Sequence, residues 1–99
     1  MVTPKLKIVW SHQAKDALRQ IYDYYKNKSP QGARNVRNDL LQAPKKIVFA
    51  RQYQLDDINP RYRRIIVRDY KILYLEEGLT IYIVDIISAL QSPEILANK

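Results

Sequence analysis

The stretch YRRIIVRDYKILY, residues 62–74, contains two β-strand patterns and the turn between them. Aliphatic and aromatic residues, which favour strands, dominate the segments 62–68 and 70–76. Arg68 and Asp69 lie where the two segments meet, and the chain has room there only for a tight turn. The stretch therefore predicts two neighbouring antiparallel strands.

A third strand is predicted directly after this hairpin. The segment LTIYIVDII, residues 79–87, is again rich in β-branched and aromatic residues. It is reached through Glu77 and Gly78, and the glycine can supply the positive φ that a hairpin turn requires. The three segments together predict an antiparallel meander.

The first part of the chain changes at Ser11 from the two-residue period of a strand to the period of a helix. Apolar residues alternate with others through residues 5–10, which predicts a strand with one buried face. Ser11 has a side chain suited to an N-cap, and apolar residues at helical spacing predict a helix from about 12 to 28.

A second helix follows at once. Ser29 is its expected N-cap, and Pro30 suits the first helical position, where its missing N–H is not needed. Pro44 should end or kink this helix. The predicted order is β-α-α-β-β-β: an α+β fold in which an antiparallel twisted sheet packs on a helical hairpin, with residues 1–99 forming a single domain.

The composition is basic and excludes several classes of site. The 17 Lys and Arg residues against 10 Asp and Glu give a net charge of +7, which favours an anionic partner: nucleic acid, an acidic protein segment or a membrane surface. With no cysteine and one histidine, neither a disulfide framework nor a conventional metal site is expected. Two glycines cannot form a glycine-rich phosphate loop, so we expect no cofactor.

The apolar segments are all short. None approaches the roughly 20 consecutive apolar residues that a membrane helix needs, and the first residues lack the apolar run of a signal peptide. We therefore expect a cytoplasmic protein without a membrane partner.

Four cations within the hairpin are the first candidate binding residues: Arg63, Arg64, Arg68 and Lys71. Continuous strand alternation would place Arg64 and Arg68 on one face and leave Arg63 and Lys71 to the other. Their density predicts contact with nucleic acid or another anionic target. The alternative is a solvated sheet edge whose charges prevent pairing with other chains.

The chain resembles the RelE/ParE family of toxins from bacterial type II toxin–antitoxin systems in four segments. These are IVWSHQAKDALRQIYDYY, SPQGA, YRRIIVRDYKILY and IVDIISALQSPEIL. The resemblance implies a growth-inhibiting toxin, encoded on a plasmid or chromosome, and a cognate antitoxin whose C-terminal segment wraps it. Members of the family act in one of two ways: RelE-like toxins cut messenger RNA on the ribosome, and ParE-like toxins poison DNA gyrase.

The positions that distinguish the two groups favour the ParE-like one. In the RNA-cutting group an aromatic-basic-aliphatic-aliphatic-Tyr run supplies a basic residue to the phosphate, and here Lys71 takes the place of the usual arginine without its bidentate fork. That group places a His-Tyr or Arg-Tyr pair after the last strand, where this chain has Ala89, Leu90 and Gln91. None of these can act as a general acid, so no catalytic residue is assigned.

The resemblance leaves alternatives open. A RelE-like endoribonuclease, or a non-toxic relative that only binds its antitoxin, would carry the same pattern, and so would a homodimer or a toxin–antitoxin hetero-oligomer. Asp56 and Asp57 are expected to form a turn, the alternative being the carboxylate base of some ribonuclease members. On the first helix Tyr22 and Tyr24 are predicted to bind the antitoxin, whereas Tyr25 continues the buried stripe.

Overall fold

The computed structural model describes residues 5–89, which contain two helices and four strands. In chain order the elements are β1 (Lys7–Trp10), α1 (His12–Lys26), α2 (Pro30–Gln42), a 3₁₀ turn (Ala43–Lys46), β2 (Arg63–Val67), β3 (Tyr70–Glu77) and β4 (Thr80–Ser88). This order confirms the predicted β-α-α-β-β-β fold. No helix in the part of the chain that the structure describes has the length and apolar character needed to cross a membrane.

Both helices begin at the predicted caps. Ser11 has extended backbone, and its hydroxyl accepts a hydrogen bond from the amide of Ala14 at 3.0 Å while donating to the carbonyl of Val84 at 2.8 Å. Ser29 accepts from the amide of Gly32 at 3.0 Å. The Ser11 hydroxyl therefore both caps α1 and fixes its first turn against β4.

The sheet has the strand order β1-β4-β3-β2 and is mixed, so the predicted antiparallel arrangement is correct for β2, β3 and β4 and wrong for β1. The pairs β2–β3 and β3–β4 are antiparallel, as the meander predicted. β1 adds in parallel beside β4, with Lys7 opposite Thr80 and Trp10 opposite Ile83. The local period that identified β1 carries no information on strand direction, because the direction depends on how the helical hairpin returns the chain to the sheet.

The helical hairpin covers one face of the sheet and encloses the core. From the helices come Ala14, Val36 and Leu40, and from the sheet Ile65, Ile72, Tyr74, Ile81, Ile83 and Ile86. Tyr25 packs against this cluster, as its place in the stripe predicted. α2 ends at Gln42, just before Pro44, which confirms the predicted stop.

Two hairpin turns contain the residues of positive φ in the described part of the chain. Gly78 has φ +62° between β3 and β4. Arg68, the first residue of the two-residue turn between β2 and β3, has φ +55°, a conformation in which glycine is preferred. The backbone at Arg68 is therefore strained, and the pairing of the flanking strands must offset this cost.

Replacing Gly78 by alanine should destabilise the fold by about 1–2 kcal/mol, because a Cβ is disfavoured at this positive φ. A Cβ at this position would meet no atom within 4 Å, so the loss would come from the backbone alone. Urea denaturation measures it. Gly78→Asn is the control and should lose less, since asparagine tolerates this conformation; equal losses for the two variants would contradict the explanation.

Candidate functional site

The centre of the polar structure outside the core is the buried carboxylate of Asp56. Its Oδ1 accepts a hydrogen bond from Lys71 Nζ at 2.8 Å. Its Oδ2 accepts from the backbone amides of Ile58 at 3.2 Å and Asn59 at 2.9 Å, which is the turn expected of this residue. Asp56 thus ties the loop before β2 to the middle of the sheet through Lys71, of which only 6% is exposed.

The titration of Asp56 follows from these contacts. Burial by itself raises the pKa of the Asp56 carboxyl, because it disfavours the charged form. The Lys71 ammonium and the two backbone amides outweigh this effect and hold the pKa below the ordinary value of an aspartate. The carboxylate is therefore charged at neutral pH.

Arg64 completes the cluster on the same face of the sheet as Lys71. Its Nη1 lies 3.2 Å from Asp57 Oδ2 and 3.6 Å from Asp56 Oδ1. The expectation that Arg63 and Lys71 share a face is wrong. The two-residue turn pairs Val67 with Tyr70, so odd-numbered residues of β2 share a face with even-numbered residues of β3. The expectation assumed that odd-numbered residues stay on one face through the whole hairpin, which would place Lys71 on the wrong side.

The other two cations of the hairpin are held elsewhere. Arg63 Nη1 donates to the carbonyl of Tyr53 at 2.8 Å. Arg68 Nε donates to Asp39 Oδ2 on α2 at 2.7 Å, and about half of each side chain is exposed. This exposed ion pair links the β2–β3 turn to α2.

The four predicted target-binding cations therefore do not form one anion-binding surface. Arg64, Arg68 and Lys71 each face a carboxylate of the same chain, and Arg63 faces a carbonyl. A role for these residues in target binding stays a prediction, and the geometry gives it least support at Lys71. The sequence did contain the two acidic loop residues, but no local signal joins Asp56 to a lysine fifteen positions later.

The remaining polar groups of the YKILY run also have internal partners. The Tyr70 hydroxyl lies 3.4 Å from that of Tyr25, and burial together with this contact raises the pKa of Tyr70 to about 12. The fully buried Tyr74 donates its hydroxyl to the carbonyl of Ala50 at 2.8 Å. The run that carries the family resemblance thus stabilises the fold of this chain.

Of the three positions predicted to lack a proton donor, only Ala89 lies within the described residues. The amide of Ala89 donates to the carbonyl of Asp69 at 2.7 Å, and its side chain has no ionisable group. Leu90 and Gln91 lie outside the described residues. No three His, Asp or Glu side chains within residues 5–89 are grouped as a metal site would require.

The two tyrosines predicted to bind a partner lie on different flanks of α1, because residues two positions apart are about 200° apart around a helix. Tyr24 is 56% exposed, and Lys28 Nζ donates to its hydroxyl at 2.8 Å. Tyr22 is half-buried, and the Arg37 guanidinium lies 5.6 Å from the centre of its ring. Tyr22 lines a shallow groove of about 220 Å³ between the helices, together with Lys15, Leu18, Arg19 and Arg37.

An exposed apolar pair, Val48 and Phe49, was not predicted. The two residues follow the 3₁₀ turn and are 69% and 59% exposed. The sequence pattern gave no prediction for these two positions, and apolar residues by themselves favour burial. Their exposure is visible only in the folded chain.

Comparisons with known proteins give a family match and similar structures. The family model described as "ParE toxin of type II toxin-antitoxin system, parDE" matches residues 8–93. No curated protein sequence matches the chain significantly. A chain of the chromosomal ParDE toxin–antitoxin system from P. aeruginosa aligns with a TM-score of 0.72 at 20% identity, covering 84% of this chain and 95% of that one. A YoeB/ParE toxin from Agrobacterium tumefaciens aligns with a TM-score of 0.46 at 17% identity, with coverages of 84% and 98%.

The Asp56–Lys71 ion pair predicts that removing Asp56 and removing Lys71 lower the free energy of unfolding by different amounts. Asp56→Asn should lower the free energy of unfolding by about 3–5 kcal/mol, because it leaves the Lys71 ammonium buried without its carboxylate. Lys71→Met should lower it less, since Asp56 keeps two amide donors and Arg64. The double variant should be more stable than Asp56→Asn alone. Urea denaturation of the three variants measures this order, and simple additivity would contradict it.

The pH dependence gives an independent check of the same pair. The pKa of Asp56 is lower in the folded than in the unfolded chain. Its ionisation therefore contributes fully to the free energy of unfolding above the unfolded pKa of about 3.9, and this contribution is lost as the pH falls through the folded pKa. The double variant should lose less stability than the wild type over that acidic range. Equal acid slopes would show that other carboxylates dominate.

Proposed function

This chain belongs to the ParE family of toxins of type II toxin–antitoxin systems, and on that premise we propose that it arrests growth by inhibiting DNA gyrase in the cytoplasm. We further propose that a cognate antitoxin neutralises it within a hetero-oligomer. The P. aeruginosa chain of similar fold comes from such a two-component system, which supports the second part of the proposal.

The observation that favours gyrase over messenger RNA is the internal pairing of Lys71. An RNA-cutting toxin needs a cation at this position that faces the scissile phosphate. Here Lys71 is buried and held by Asp56 at 2.8 Å. Turning it toward RNA would break this hydrogen bond and leave the buried Asp56 carboxylate with only the two amides and Arg64 as partners, which is unfavourable.

The proposed antitoxin site is the outer side of the helical hairpin. Lys15, Arg19 and Arg37 surround a groove whose apolar part comes from Leu18 and Tyr22. Of the three cations only Arg19 has an acidic neighbour among residues 5–89, Asp16 at 3.5 Å, and that pair is exposed. An acidic amphipathic segment suits this surface, since its apolar side chains would enter the groove and its carboxylates would meet the cations. Tyr24 lies two positions after Tyr22, about 200° around α1, and is proposed as a second antitoxin contact outside the groove.

The purified chain should inhibit supercoiling by DNA gyrase and trap cleaved double-stranded DNA, and its expression alone should arrest growth. Co-expression of the protein encoded by the adjacent gene should restore growth. Gel assays of plasmid topology and growth curves measure these outcomes.

Two results would contradict this function. Codon-positioned cuts in ribosome-bound message, detected by primer extension, together with unaffected gyrase would identify a ribonuclease. Expression without growth arrest, in a strain lacking the antitoxin, would identify a non-toxic relative that only binds its partner.

Tyr24→Ala should weaken antitoxin binding about tenfold, because an exposed aromatic ring at an interface commonly contributes more than 1 kcal/mol. Calorimetric titration with the purified antitoxin measures the change. Leu79→Ala is the control, since Leu79 is exposed to the same degree, 57%, but lies in the β3–β4 turn. Unchanged affinity of Tyr24→Ala would remove Tyr24 from the antitoxin site.

A further inference from the structure

Val48 and Phe49 form a pair of neighbouring apolar side chains that project from the loop after the 3₁₀ turn; we call this pair the apolar tip. Their exposed fractions are 69% and 59%. Single exposed apolar residues are ordinary on protein surfaces, but adjacent ones held outward in a loop are typical of an interaction site.

A ring of hydrogen bonds through Gln52 holds the apolar tip in place. The Val48 amide donates to Gln52 Oε1 at 2.7 Å, and Gln52 Nε2 donates to the carbonyl of Lys46 at 3.2 Å. The backbone amide of Gln52 donates to the carbonyl of Phe49 at 3.1 Å, which closes the turn. One side chain thus connects both ends of the exposed segment.

The two residues that flank the apolar tip anchor it to the core. Ile47 is buried and belongs to the core cluster. The carbonyl of Ala50 accepts a hydrogen bond from the hydroxyl of the fully buried Tyr74. With its backbone fixed on both sides, the tip would lose little further conformational entropy when it binds a partner.

Three exposed cations flank the apolar tip in the sequence. Lys45, Lys46 and Arg51 lie within three residues of it, and the segment from 45 to 51 contains no acidic residue. Arg51 lies 3.5 Å from Glu76 in an exposed pair, and no carboxylate among residues 5–89 pairs with either lysine. The complementary surface is therefore apolar at its centre and acidic at its rim.

The small number of cations at the tip favours a protein partner over DNA. A protein that makes about 6–10 phosphate contacts needs more basic groups than Lys45, Lys46 and the paired Arg51 provide. The cations of the hairpin cannot extend this basic surface, since Arg64, Arg68 and Lys71 face carboxylates of the chain. The shape favours a folded partner, because a projecting apolar anchor needs a pocket and an extended antitoxin segment has none.

We propose that the apolar tip is the anchor with which this toxin binds its protein target, at an apolar pocket rimmed by carboxylates. The proposal rests on the proposed function and deepens it. Phe49 enters the pocket as the central aromatic residue, and the three flanking cations orient the approach.

The test compares full-length wild type, Phe49→Ala and Leu79→Ala in growth arrest, antitoxin affinity, and affinity for purified gyrase. Circular dichroism first establishes equal folding, which is expected because both side chains are exposed. Phe49→Ala should relieve growth arrest and weaken gyrase binding at least about tenfold, with antitoxin affinity unchanged. Leu79→Ala should behave as wild type. The variant Lys45→Gln/Lys46→Gln should slow association, most at low salt.

Each contrary result has a definite meaning. Growth arrest by Phe49→Ala at the wild-type level, or a parallel loss of antitoxin affinity, overturns the proposal. So does Phe49-dependent binding of the toxin to duplex DNA alone at physiological salt, or to vesicles of phosphatidylglycerol and phosphatidylethanolamine. If the wild type arrests growth without affecting gyrase, the gyrase function is wrong, and growth arrest by Phe49→Ala still decides the role of the tip. A wild type without toxicity overturns both.

Discussion

The hydrogen-bonded ion pair between Asp56 and Lys71 is the contact on which the rest of the polar structure depends. The chain from Ile47 to Tyr62 contains no helix or ladder strand, so few backbone hydrogen bonds hold it. Asp56 compensates by binding a sheet lysine and two amides of its own turn. Because a charge buried without a partner is strongly unfavourable, only a loop conformation that brings Asp56 to Lys71 is compatible with a folded sheet.

The pair contributes to specificity more than to net stability. Replacing a buried ion pair by apolar residues of similar volume is often neutral or stabilising, so its value lies in excluding alternatives. A one-residue slip of β2 against β3 would turn Arg64 to the opposite face and separate it from the aspartates that it now approaches. Arg64 on β2 and Lys71 on β3 therefore select the same β2–β3 register that the short turn at Arg68 favours. That agreement offsets the strained backbone of the turn.

The sequence predicted what depends on neighbours along the chain. Both N-caps and the end of α2 were found, because a serine or a proline acts on the next residues alone. The strand bounds followed for the same reason. What failed depends on distant contacts: the direction of β1, the face of Lys71, and the pairing of Asp56 across a loop. The exposure of Phe49 belongs to this second class, since the residue type alone indicates a core position.

The distribution of free charge follows from the internal pairing. The chain carries a net charge of +7, yet the three most central cations of the hairpin face its own aspartates. The cations without a close carboxylate in the described part of the chain include Lys15 and Arg37 at the helical groove and Lys45 and Lys46 beside the apolar tip. The two proposed binding surfaces are separate basic regions, one concave and one projecting. An antitoxin in the helical groove would leave the tip in place, so its neutralising effect would come from bulk that blocks the approach of the target and not from contact with the tip.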